Sequence, residues 1–308
     1  MKTTTLLASF FTAALVSARP GRQRAEYPWT PALAGYYEKV ALHIQEAKSS
    51  GQTPGSCDLA GAAPPIAPAP LPTPDGLVLA HVAVGRGVQN YTCTSNAADV
   101  KPVAAGALAH LYNASCMAAS YPDLLSLMPD LALQYPLENP GIPDDSSSDG
   151  GYTTTSNNLL SVYASGDPSD GALSGHHFFD AKTPVFELNS SPTGPSTHLG
   201  VVRGKANRNS TAPASSCPGV GWQGNGAVAW LYLDATPESQ TTDVKFDGVN
   251  PGVAAGAEEG WKHIYRVNTA GGMPPKTCAE AGLDVGGGVI SVQYAANYWY
   301  YKGAPGSS

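Results

Sequence analysis

The chain has 308 residues, of which only 13% are charged, and its 24 acidic side chains outnumber 17 basic ones to leave a net charge of −7. An acidic surface argues against nucleic acid or an anionic membrane as a partner, since both select for basic faces. The length exceeds the usual ~100–150 residues of one domain, but a single β-sandwich or barrel runs to roughly 250, so one core with an accessory arm is expected.

Lys2, an apolar run over residues 6–16, and the small residues Ser17 and Ala18 before Arg19-Pro20 read as a secretory signal peptide over residues 1–18. That run is shorter than the ~20 apolar residues a membrane helix needs, and no later segment approaches this length. The expected product is therefore secreted and extracellular, with no membrane insertion.

Residues 19–60 form an N-terminal arm. In it Thr30-Pro31 makes an N-cap and first-turn pair, and Leu33, Tyr37, Val40, Ala41 and Ile44 recur at helical spacing before Gly51, predicting one helix of about four turns. Residues 61–74 switch to Ala and Pro and read as an extended linker.

A β domain over residues 75–301 follows. Residues 77–84 are apolar on both faces, as in a central strand, and Gly85-Arg-Gly87 is expected to turn that strand into residues 88–92. Further strands are expected at 107–112, 159–163, 176–179, 185–188, 198–202, 227–233, 261–267 and 289–301. A short surface helix is expected at 122–128, a polar loop at 140–158 and a flexible tail at 302–308. In the last strand Ile290, Val292, Tyr294, Ala296, Tyr298 and Tyr300 share one face, and Ser291, Gln293, Ala295 and Asn297 the other until Trp299 and Tyr301, the pattern of a half-buried strand. Short strands parted by Gly, Pro, Asn and Ser clusters make the fold mainly β: an antiparallel β-sandwich or barrel with an N-terminal helical arm.

Secretion favours disulfides. Of five cysteines, Cys217 lies in a loose Ser- and Pro-rich stretch and is the odd one out. The expected pairs are Cys93 with Cys116 and Cys57 with Cys278, the second pinning the arm to the C-terminal strand region, among the three pairings that four cysteines allow. Sequons at Asn90, Asn113 and Asn209 mark glycosylation acceptors.

The ordered motifs His81-Val-Ala-Val-Gly-Arg-Gly-Val-Gln-Asn-Tyr-Thr-Cys93, Gly106-Ala-Leu-Ala-His-Leu-Tyr-Asn-Ala-Ser-Cys116, Gly175-His-His-Phe-Phe179 and Ala227-Val-Ala-Trp-Leu-Tyr-Leu233, with the C-terminal aromatic block, resemble the DUF3455 family over about residues 71–301. The resemblance implies an extracellular β-rich fold and a fungal source, and brings no settled activity. Asn297 stands where relatives are expected to carry an acidic residue. Members often carry an inherited "malate dehydrogenase" label, which this chain does not support. A dinucleotide site needs Gly-x-Gly-x-x-Gly between a strand and a helix, whereas Gly85-Arg-Gly87 has Asn90 at the third glycine position and is followed by a sequon strand.

Among chemistry-bearing residues, His176 and His177 are adjacent on a strand and point to opposite faces, so at most one joins a metal site. His177 with His81 or His198 would supply imidazoles for zinc or copper; otherwise each is a hydrogen-bonded core histidine. The run Asp145-Ser-Ser-Ser-Asp149-Gly150 fails as a calcium loop because its twelfth position is Ser156. There is no Gly-x-Ser-x-Gly elbow and no His-Glu-x-x-His helix. Asp180, Glu187, Asp234 and Asp247 could converge in space for paired-carboxylate hydrolysis, chemistry that needs no spacing signature in the sequence.

Arg266, Asn268 and Thr269, before Gly271-Gly272, form the most functional-looking polar cluster. Beside Trp261, Trp299 or Tyr301 they would suit a hydroxyl-rich sugar, with rings stacking on its apolar face. The expected function is a secreted binding or surface-interaction protein for cell-wall or host polysaccharide, without a cofactor. The alternatives are an extracellular metal-dependent oxidase, a carboxylate-based carbohydrate hydrolase, or an effector-like protein recognised by a host.

Overall fold

The computed structural model describes residues 29–50, 57–134, 173–189, 198–216, 224–241, 260–283 and 286–304. The expected signal peptide, the loop at 140–158, the strand at 159–163, Cys217 and Asp247 lie outside these residues.

The elements, in order, are α1 (Pro31–Ser50), β1 (Leu77–Cys93), β2 (Val103–Asn113), α2 (Ser115–Ser120), α3 (Pro122–Gln134), β3 (Leu173–Asp180), β4 (Thr183–Asn189), β5 (His198–Ser210), β6 (Trp230–Ala235), β7 (Gln240–Thr241), β8 (Trp261–Gly271) and β9 (Gly288–Gly303). The strands pair in the order β4-β3-β2-β1-β9-β8-β6-β5, and β5 returns to pair with β4, closing an eight-stranded antiparallel barrel; the two-residue β7 pairs with the start of β5 on the edge that β6 uses further along. Eight strands leave an interior that side chains can just fill or that holds one small ligand.

The expected turn at Gly85-Arg-Gly87 does not exist, because β1 runs unbroken through both glycines. Their role is to be small. A Cβ on Gly85 would stand 2.6 Å from Cε2 of Tyr298, and one on Gly87 would stand 1.9 Å from the Leu108 carbonyl oxygen. With Ala83, Ala107 and Ala109 they thin the β1–β2 wall so that the rings of Tyr294, Tyr298 and Tyr300 fit inside.

Strand β9 shows the expected half-buried alternation only over residues 288–293, and from Tyr294 onward it is buried on both faces. Its even-numbered residues face the lumen beside Leu111, Phe186 and Ile264. Its odd-numbered residues Ala295, Trp299 and Tyr301 pack outward with Val82, Val84, Tyr112 and Tyr265 against Leu33 and Tyr36 of α1 and Leu125, Met128 and Leu131 of α3. The expected helix at 122–128 is the first half of this longer α3, whose apolar face seals the barrel's outer wall. For α1, Thr30 Oγ1 accepts from Leu33 N as the N-cap. The buried stripe runs through Leu33 and Tyr36, leaving Tyr37 and Ile44 41% and 50% exposed against expectation.

Two polar side chains of the outer wall serve α3. Pro129 sits inside the helix and has no N–H for the Leu125 carbonyl four residues back. Asn297 replaces that donor, its Nδ2 lying 2.9 Å from Leu125 O. Arg86, 1% exposed, donates from Nε to Ala132 O at 3.0 Å, in the last turn of α3, where carbonyls and helix dipole both favour a cation. Its other nitrogens reach Gly87 O, Tyr294 O and the Gln293 side chain.

The cysteines that pair are the expected four, but the bonds are Cys57–Cys116 and Cys93–Cys278. Strand direction decides this. Strands β1 and β8 both run antiparallel to β9, so Cys93, ending β1, and Cys278, shortly after β8, emerge at the same end of the barrel. Cys116, on α2 just after β2, lies at the opposite end, where it ties down the segment after α1.

Candidate functional site

A cavity of about 330 Å³ enters the barrel beside the β3–β4 hairpin. Phe179, Pro184, Phe186, Leu231 and Leu233 give it apolar walls, and His177, Arg266 and Tyr298 supply polar groups. Its other charged residues, Lys182 and Lys205, are exposed. No carboxylate lines it among the described residues, although acidic side chains outnumber basic ones in the chain, so its charge opposes that of the whole protein.

Register explains the constellation. Arg266 of β8 lies directly across from Tyr298 of β9, and Tyr298 Oη is 3.0 Å from Tyr294 Oη, two lumen-facing positions away. Arg266 donates from Nη2 to Ala229 O at 2.8 Å, while its buried Nε has no hydrogen-bond partner among the described residues. His177 stacks on Phe186 at 4.1 Å, and its Nδ1 donates to Val185 O at 2.9 Å. Burial lowers the His177 imidazole to about 3, so it is neutral at ordinary pH. Burial raises the Tyr294 and Tyr298 phenols, so both remain protonated.

Arg266 and Asn268 of the expected polar cluster are separated by the barrel wall, and Thr269 is buried with its Oγ1 donating to Val228 O. A bulge after Val267 and a left-handed backbone at Asn268 (φ 48°) send its Oδ1 to Asn297 on the helix-covered side, whereas Arg266 faces the lumen. Gly271 and Gly272, which follow, take positive φ, at 64° and 92°. Trp299 and Tyr301 are 2% and 3% exposed beneath the helices, and Trp261, 5% exposed, has Lys302 Nζ 4.4 Å from its ring centre. These three rings form no surface platform for a sugar.

His81 donates to or accepts from Ser174 Oγ at 3.0 Å and Ser115 Oγ at 3.3 Å. Burial lowers its imidazole to about 4. No sequence spacing announced this serine–histidine–serine bracket, and burial of all three residues makes it a brace between β1, β3 and α2. The side chain of His198 lies outside the described residues, and no three His, Cys, Asp or Glu side chains among the described residues are grouped to hold a metal. Asp180 pairs with Arg203 at 2.8 Å and Asp234 with His263 at 3.2 Å, neither on the cavity, and Glu187 is exposed. Of the sequons, Asn209 is exposed, while the side-chain oxygens of Asn90 and Asn113 accept from Ser291 Oγ and Ser115 N.

The model of a family described as "Protein of unknown function (DUF3455)" matches residues 73–302, which spans the barrel from just ahead of β1 to the end of β9. No curated protein and no solved structure matches the chain.

Proposed function

The chain belongs to the DUF3455 family, and from that premise we propose that it is a secreted binding protein that takes a small organic molecule into the lumen of its barrel. The observation that carries this is the lumen cavity, with apolar walls and a few converging polar groups, at the lower end of the ~300–1,000 Å³ usual for ligand pockets. Secretion is supported by the leader-like first 18 residues and by two disulfides. No observation among the described residues favours the oxidase or the hydrolase.

The fluorophore 1-anilinonaphthalene-8-sulfonate, an apolar ring system bearing one sulfonate, tests this reading. It should bind one per chain, and Ala206→Trp, which places a ring at an exposed lining position, should weaken that binding roughly tenfold or more at an unchanged thermal midpoint. Equal binding by both proteins would put the dye elsewhere and remove the reading.

Polysaccharide binding stands as a second reading, carried by a different pair of rings. Trp29, 66% exposed, stacks with Tyr37 on α1 at 5.7 Å and 12° between planes. Such rings suit the apolar face of a pyranose. If they hold a glycan, the protein should deplete from solution onto insoluble chitin, β-glucan, cellulose or xylan, and Trp29→Ala should abolish that depletion. No depletion on any of the four would end this reading.

A further inference from the structure

We infer that the lumen ligand carries a carboxylate, which Arg266 grips by its unpartnered Nε with the Tyr298 hydroxyl beside it; this rests on the lumen-binding reading above. Three observations converge on an anion with an apolar body.

The first is the state of Arg266. Its guanidinium projects into a barrel lumen, donates from Nη2 to Ala229 O and also hydrogen-bonds the Tyr298 side chain, yet its buried Nε–H meets no acceptor among the described residues. Leaving a charged donor unmatched in a low-dielectric interior is costly, and an acceptor bearing negative charge relieves the most strain. Arg86 shows what this chain does when an arginine is structural: Nε, Nη1 and Nη2 all find oxygens.

The second is the company Arg266 keeps. Trp261 Nε1 and Tyr300 Oη, further along the lumen, also have no partner among the described residues. An indole N–H is a donor only, and a hydroxyl donates readily. The interior thus offers unmatched donors, the complement of a ligand rich in oxygen lone pairs.

The third is charge. Lys182 and Lys205 add two cations to a cavity that no described carboxylate lines, on a protein of net charge −7. A small basic opening in an acidic surface with low-dielectric walls focuses the field on anions and raises their local concentration. Phe179, Phe186, Leu231 and Leu233 then require that the remainder of the ligand be apolar. A free inorganic anion satisfies the charge but not the walls, and a neutral lipid satisfies the walls but not Nε. An aryl- or alkyl-carboxylate satisfies both.

Titration calorimetry with the matched probes 4-phenylbutyrate and 4-phenylbutan-1-ol, which share a body and differ in the head group, separates this inference from the reading beneath it. The carboxylate should bind wild type roughly tenfold or more tighter than the alcohol. Arg266→Met should erase that preference while the alcohol still binds, and Arg266→Lys, which keeps the charge but loses Nε, should retain part of it. Equal affinity for both probes in wild type overturns the carboxylate assignment and leaves lumen binding intact. Failure of both probes and of the fluorophore removes lumen binding and the assignment together. A preference that survives Arg266→Met overturns Arg266 as the anchor. The comparison on wild type involves no substitution, so a variant that failed to fold would not shield the inference.

Discussion

Acidification from pH 7 to pH 4 should remove most of the protein's stability. Three imidazoles are held neutral by burial: His81 and His110 are lowered to about 4 and His177 to about 3, with the neighbouring His176 adding to the effect at His110. His81 faces Ser115, Ser174 and the Tyr300 ring, and His177 faces the Val185 carbonyl, Phe186 and the Arg266 cation, so neither has a carboxylate to stabilise its charged form. The sign follows from proton uptake. Below about 6.5 the unfolded chain binds a proton at each histidine that the folded chain refuses. The stability they contribute is complete above that pH and is lost as the pH falls toward 4 and 3. Each group costs about 1.4 kcal/mol per pH unit, so the three together give a slope of about 4 kcal/mol per unit near pH 5, against a typical total of ~5–15 kcal/mol. Urea unfolding at a series of pH values measures this slope, and His177→Gln should lower it by about a third. A flat profile would mean that the imidazoles are solvated or protonated in the fold.

Arg86→Ala should cost about 4 kcal/mol, the sum expected for carbonyls at Ala132, Gly87 and Tyr294 losing a charged donor in a dry interface. Arg266→Met, by contrast, forfeits the bond to Ala229 O and the one to the Tyr298 side chain and should cost about 2 kcal/mol. The pair is a direct comparison of a bracing arginine with a ligand-facing one, read by chemical denaturation on both variants. If Arg266→Met were the more damaging substitution, the assignment of the two roles would be reversed.

The long strand β9, the helix at 31–50 and the mainly β character were legible because they rest on local periodicity and caps. What was not legible depends on which layer covers which face. The polar residues Gln293 and Asn297 made one face of β9 look wet, but each answers a specific partner on the outer wall: Arg86 for the one and the Leu125 carbonyl freed by Pro129 for the other. Gly85 and Gly87 resembled a turn because glycine marks turns more often than close approach, and only the position of Tyr298 shows the second use. The disulfide map required knowing which strands end at the same rim. Arg266 stood out in the sequence, but its separation from Asn268 hangs on a single bulge, and the cavity it serves is assembled from β3, β4, β5, β6, β8 and β9, whose neighbours in space lie far apart in the chain.

The position of β9 between β1 and β8 bears on how the chain is made. Strand β9 follows all the other strands in sequence, yet it bonds β1, the earliest of them, along almost its whole length. Until it is synthesised, β1 and β8 each present an open edge with lumen-facing apolar residues uncovered, a state that invites pairing between chains. Barrel closure is therefore a late, non-local event, slow by the measure of loop closure. A nascent chain arrested before β9 needs protection from aggregation, and the step that completes the fold is the insertion of the final strand into a waiting gap.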